Sequence, residues 1–120
     1  MNGDEFMIKL KSEMQRTIVN NLRGGEGSLT REDIFTPEEA LEKTNMIAVL
    51  TIPDGSSIGE HIHGPEAEMY YILSGTLRVT DNGITKDLVP GDAVFTGGGT
   101  AHSVVNMSGK EASMLAIIIK

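Results

Sequence analysis

A chain of 120 residues with 39% hydrophobic and 22% charged residues can bury one core of ordinary domain size, and its composition is neither that of a disordered chain nor that of a membrane-embedded one. Its 17 acidic against 10 basic residues leave a net charge of −7, which speaks against nucleic acid as a partner, since that polyanion selects basic surfaces. The absence of cysteine excludes disulfides, thiolate catalysis, zinc–thiolate sites and iron–sulfur clusters, so any metal must be held by nitrogen and oxygen.

The leading residues MNGDEFMIKLK lack the basic-then-apolar order of a secretory signal, and no apolar run approaches the length of a membrane span. The expectation is a cytoplasmic protein with no membrane partner. Residues 2–16 mix charge with Phe6, Leu10 and Met14 at fourfold spacing, which suits either a short amphipathic helix or a loosely ordered arm. Met7 and Met14 are also alternative starts, so this stretch carries no functional weight. TIVNNL (17–22) and SLTREDIF (28–35) read as strands on either side of the glycine loop RGGEG (23–27). That loop has neither the GK[ST] of a phosphate-binding loop nor the strand-then-helix setting of a dinucleotide site, so phosphate binding is not its reading. Thr36 as N-cap, Pro37 at the first helical position and Glu39 closing a capping box predict one short helix over 37–43.

From residue 44 onward the chain is strand upon strand. TNMIAVLTI, EHIHG, EMYYILSG, TLRVT, ITKDLV, DAVFTG, AHSVVNM and ASMLAIII are short runs rich in Val, Ile, Thr and Tyr, each bounded by turn residues. Asn82-Gly83 is the sharpest hairpin signal, because a type I′ turn needs positive φ at both central residues. Strands of this length at roughly ten-residue spacing make the fold class all-β, as a sandwich, jelly roll or small barrel.

All three histidines, His61, His63 and His102, fall in this region. His61 and His63 are two apart, so on a strand both imidazoles project from one face, about 7 Å along the chain, as a chelate requires. Glu68 opens the next strand and offers a carboxylate oxygen. His102 lies on a later strand that a closed barrel can bring alongside. Three neutral imidazoles and one carboxylate leave a divalent cation with a net charge of about +1 and open coordination positions, which suits an anionic or oxygen-bearing substrate. The bland alternatives are a hydrogen-bonded core imidazole for His102 and a surface carboxylate for Glu68.

Gly55-x5-His61-x-His63-x4-Glu68-x6-Gly75 and Gly91-x5-Gly97-x-Gly99-x2-His102-x3-Asn106 resemble the two motifs of the cupin family, with Gly97 standing where the family usually has Pro. The resemblance spans 45–120 and implies a double-stranded β-helix, or jelly roll, with a metal inside the barrel held by His61, His63, Glu68 and His102. One divalent transition metal is implied: nitrogen and oxygen ligands suit manganese, iron, cobalt, nickel and zinc alike. Gly97 in place of Pro loosens the turn before His102, and Asn106 reads as a structural hydrogen-bonder. Residues 1–44 then form an N-terminal arm that packs on a second copy or exchanges strands with it, so a homodimer is expected.

The chain is similar to small single-domain cupins of the oxalate decarboxylase-like type. True oxalate decarboxylases carry an Arg three residues before the first motif histidine, where this chain has Ile58, and a lid glutamate with no counterpart here. If Glu68 points inward, alternation carries Tyr70 and Ile72 inward as well. Tyr70 is the candidate catalytic residue, orienting substrate, against the plainer reading of a packing tyrosine. Phe95, Val104 and Met46 are candidate walls against the plainer reading of core packing, Arg78 reads as a solvated strand residue, and Glu60 should face away from the site. Three readings of function follow. The first is a metal-dependent enzyme on a small organic acid, sugar or related metabolite, as oxygenase, isomerase or decarboxylase. The second is a non-catalytic module that binds or senses a small ligand, and the third is a structural or storage protein with a vestigial site.

Overall fold

The computed structural model of the chain describes residues 7–120. Its strands are β1 (Gln15–Asn20), β2 (Ser28–Phe35), β3 (Thr44–Ile52), β4 (Ser57–Ile62), β5 (Ala67–Ser74), β6 (Leu77–Asp81), β7 (Ile84–Leu88), β8 (Ala93–Thr96), β9 (Ala101–Val105) and β10 (Ala112–Ile119). They form a six-stranded sheet in the order β1-β2-β3-β10-β5-β8 and a four-stranded sheet in the order β4-β9-β6-β7. The two sheets pack on each other as the jelly roll expected of all-β patterning. No helix among the described residues is long and apolar enough to cross a membrane.

Period-two alternation builds the core. Met46, Ala48, Leu50 and Ile52 of β3, Tyr70 and Ile72 of β5, and Met114 and Ala116 of β10 are buried on the inner face of the large sheet. Leu77, Val79 and Val104 are buried opposite them from the small one. β6 and β7 meet through Asn82 and Gly83, at φ of 49° and 79°, with Asp81 opposite Ile84, so the predicted two-residue hairpin forms. Asn106 is fully buried and saturated. Its Nδ2 donates to the carbonyls of Ile52 and Lys110 at 2.8 and 2.7 Å, and its Oδ1 accepts from the Ser108 amide and hydroxyl at 3.0 and 2.8 Å. The structural role expected of it holds.

The arm joins the large sheet. β1 pairs with β2, and β2 with β3, so both N-terminal strands extend the large sheet within one copy and leave β1 and β8 as its edges. Of the amphipathic pattern over 2–16, Phe6 lies outside the described residues. The described part is a short 3-10 turn, Lys11–Glu13, followed by strand, because cross-strand pairing with β2 claims the chain from Gln15 onward. The helix over 37–43 is also not made. Its capping box is present, with the Thr36 amide 2.9 Å from Glu39 Oε1 and the Glu39 amide 3.2 Å from Thr36 Oγ1. Yet Leu41 and Glu42 turn left-handed, at φ of 57° and 59°, and their amides close on the Glu38 and Pro37 carbonyls at 3.1 and 2.8 Å. One turn is thus capped at both ends at once. Leu41 is exposed, so no apolar face exists to hold a longer helix.

Candidate metal centre

β4 and β9 are antiparallel neighbours whose register places His61 opposite His102. Between Ile58 and His61 the ladder slips by one residue: Ile58 faces Val104, and three residues on His61 faces His102, two back. This bulge lets Ile58 and His61, an odd number apart, both point into the barrel, as bulges beside functional sites commonly do. Glu60 is exposed, as its place beside His61 predicts. His63 falls just past the end of β4 and still turns inward, 2% exposed. Glu68 arrives from the opposite sheet, where β5 runs between β10 and β8.

The four side chains converge. Glu68 Oε1 stands 2.8 Å from His63 Nε2, 3.1 Å from His102 Nε2 and 3.8 Å from His61 Nε2, and the Nε2 atoms of His61 and His102 are 2.9 Å apart. All four donor atoms lie within 4.8 Å of one another. An ion about 2.1 Å from each ligand sets neighbouring donors about 3 Å apart, so the spacing suits one transition metal. Tautomers agree as well. The Nδ1–H of His61 donates to the Gly59 carbonyl at 2.7 Å, which leaves the Nε2 lone pair facing inward, and His63 Nδ1 lies 3.4 Å from the Glu66 carboxylate. His102 Nδ1 is buried without a partner among the described residues.

Burial raises the pKa of Glu68, but the imidazoles of His102, His61 and His63 packed around its carboxyl outweigh burial and hold it at about 2. It is therefore an anion at neutral pH. Tyr70 packs its ring on His102, centroids 4.9 Å apart and nearly parallel, with its Oη 3.3 Å from His102 Nε2. Burial first, and then the Glu68 carboxylate, push the phenol well above its ordinary range, so it keeps its proton. Met46 and Val104 are both buried in the core, and Met46 also lines the site. Phe95 corrects the wall assignment, being 62% exposed. Its neighbour Thr96 points inward to donate to Asp81, and alternation then sends Phe95 out, opposite Met69. Arg78 pairs with Asp87 at 2.8 Å on the surface and takes no part.

Above the donors opens a cavity of about 150 Å3, smaller than the roughly 300–1,000 Å3 of pockets that take drug-sized molecules. Its walls include Val19, Leu22, Leu29, Leu50, Ile58 and Ile118, with Arg23 and Arg31 among them. The arm residues of this lining escaped the reading of the sequence. For Arg31 a signal existed, since alternation from buried Leu29 points it inward. For Arg23, in an irregular loop, there was none.

The family model for the cupin domain matches residues 48–118. An oxalate-binding protein of Thermotoga maritima is 35% identical over 113 residues, covering 94% of this chain and 93% of that one. The crystal structure of a predicted oxalate decarboxylase from the same organism superposes with a TM-score of 0.89 at 35% identity, over 94% of this chain and 98% of that one. The polyketide cyclase RemF of Streptomyces resistomycificus shares the fold at 18% identity, with a TM-score of 0.78 over 96% of this chain and 80% of its own.

Proposed function

Because this chain belongs to the cupin domain family, we propose that it is a metal-dependent enzyme in which His61, His63, Glu68 and His102 hold one divalent transition metal and a small organic acid is the substrate. The observation that carries this reading is the convergence of four ligand atoms within 4.8 Å of one another, three of their residues lining a small cavity. When bound, such an ion polarises a carboxylate or carbonyl as a Lewis acid, or serves as an oxygen-activating centre. Manganese, iron, cobalt, nickel and zinc all accept this donor set. The chain's own residues supply the rest. The apolar walls exclude water, the Gly59 carbonyl fixes the His61 tautomer, and Tyr70 holds a proton at Oη beside the donors and orients the ligand from there.

The test is elemental analysis of protein purified without chelator, beside a His61→Ala/His102→Ala variant. About one equivalent of metal in the wild type, lost in the variant, is expected. A wild type that holds none and takes up none on titration overturns the reading.

A second reading, binding without turnover, draws on the make-up of the cavity. Apart from His61, His63, Glu68 and two arginines, its only titratable side chain among the described residues is Tyr70, which is held protonated, so proton transfer near neutral pH has no further group to use. The name of the oxalate-binding relative points the same way. Proton NMR of the metal-loaded protein with a panel of small organic acids separates the two: new product resonances support the enzyme, and saturation without products supports the binder.

We further propose that the protein works in the cytoplasm as a homodimer joined at the β1 edge, where Ile18 is 72% exposed. Light scattering should give twice the chain mass of 12.9 kDa for the wild type and the single-chain value for Ile18→Lys. A dimeric variant would sink the edge model.

A further inference from the structure

The loop between β1 and β2 contributes Leu22 and Arg23 to the lining of the cavity. It is bound to β4 rather than left free: the Ser57 amide donates to the Glu26 carbonyl at 2.9 Å, and Ser57 Oγ accepts from the Glu26 amide at 2.8 Å. Two glycines let the backbones meet. A Cβ on Gly59 would stand 2.1 Å from the Arg23 carbonyl oxygen, and one on Gly25 would stand 2.3 Å from the Ser57 carbonyl oxygen. In this embrace Arg23 adopts a left-handed backbone, φ 55° and ψ 31°, a conformation that costs a non-glycine residue about 1–2 kcal/mol. Such strain persists where the surrounding structure over-determines it, often beside a ligand.

The outcome is an exposed cation in the lining of the cavity. Arg23 lines it and has no ion-pair partner among the described residues. Arg31 lines the same space from β2, with its Nε bonded to Asp33 at 2.9 Å, which leaves the terminal nitrogens of the guanidinium free to donate. Apart from these two cations the wall above the donors is apolar. A ligand in this cavity thus meets metal-binding donors and guanidinium groups within one otherwise apolar space.

We propose that Arg23, seconded by Arg31, grips the anionic end of the bound molecule, so that the preferred ligands are small acids carrying a second oxyanion in addition to the group that faces the metal. This rests on the metal-centre reading above and assigns Arg23 as a specificity-determining residue. A guanidinium fork matches a carboxylate bidentately, which an ammonium does not.

Calorimetric titration of the zinc-loaded protein with oxalate and with its neutral diamide, oxamide, tests the assignment, with metal content and thermal midpoint followed in every variant. Oxalate is expected to bind and oxamide to bind at least tenfold more weakly. Arg23→Gln should weaken oxalate about 10- to 100-fold, the range of a charged hydrogen bond, and lower its salt sensitivity, with metal content unchanged. Arg23→Lys should fall between, and Arg31→Gln should lose less, because Asp33 already offsets its charge. Oxalate binding equally to wild type and Arg23→Gln, or oxamide matching oxalate, overturns this inference and leaves the metal centre standing. A wild type that takes up no zinc removes the metal centre itself, and this inference with it.

Discussion

The floor and the rim of the cavity are built in opposite ways. At the floor, His61, His102, Glu68 and Tyr70 stand on strands of both sheets, His63 sits one residue past β4, and cross-strand register sets the meeting of His61 with His102. At the rim, Arg23 and Leu22 come from an irregular loop of the arm, tied down by a few backbone contacts to β4. Ligand geometry needs the precision of a sheet, whereas access and ligand choice can be left to a loop on a rigid scaffold. Changes at the floor should therefore cost stability or metal, and changes at the rim should cost ligand affinity with the metal in place.

The sharpest test of that division is Tyr70→Ala. The side chain is 1% exposed, and its loss leaves a cavity beside His102 worth about 3–5 kcal/mol in denaturant unfolding. A loss below about 1 kcal/mol would mean the floor is not the rigid part. Gly59→Ala comes next. The added methyl collides with the Arg23 carbonyl and should cost about 1–3 kcal/mol, lowering oxalate affinity at constant metal content. Unchanged affinity would uncouple the loop from the site. Tyr70→Phe keeps the packing and removes only the hydroxyl, so about 1 kcal/mol is expected, with metal retained. If metal is lost as well, Oη holds the donors in place rather than the ligand.

The smallest effect belongs to the outer face of the arm. Hydrogen bonds from Lys11, and then Arg16, hold the Glu32 carboxyl below its ordinary 4.5, so its contribution is present above that value and fades as pH falls through the lowered one. Glu32→Gln should cost under about 1 kcal/mol at pH 7, and the difference from wild type should vanish in acid. A gap that widens in acid would reverse the sign of this coupling.

Where periodicity and turn chemistry are local, the strands and the Asn82-Gly83 hairpin were legible in the sequence, and the histidine and glutamate spacing pointed to the donor set. What stayed hidden depends on pairing between distant segments. The bulge in β4 arises only against β9. The embrace of Gly25 and Gly59 joins segments more than thirty positions apart, and Arg23 reaches the cavity only through it. The turn at 37–43 satisfied every local rule for a helix start and still failed, because Leu41 finds nothing to pack against. Phe95 was misplaced for want of one phase reference, which Thr96 and its bond to Asp81 supply.

The extra residue in β4 has an evolutionary reading. Deleting residue 59 would restore an unbroken ladder in which positions 58 and 61 still face inward, so the donors would survive. The carbonyl that steadies His61 and the seat of the Arg23 loop would both disappear. A one-codon change would thus unseat the Arg23 loop from β4 and remove its guanidinium from the cavity lining, while leaving the ligand set intact.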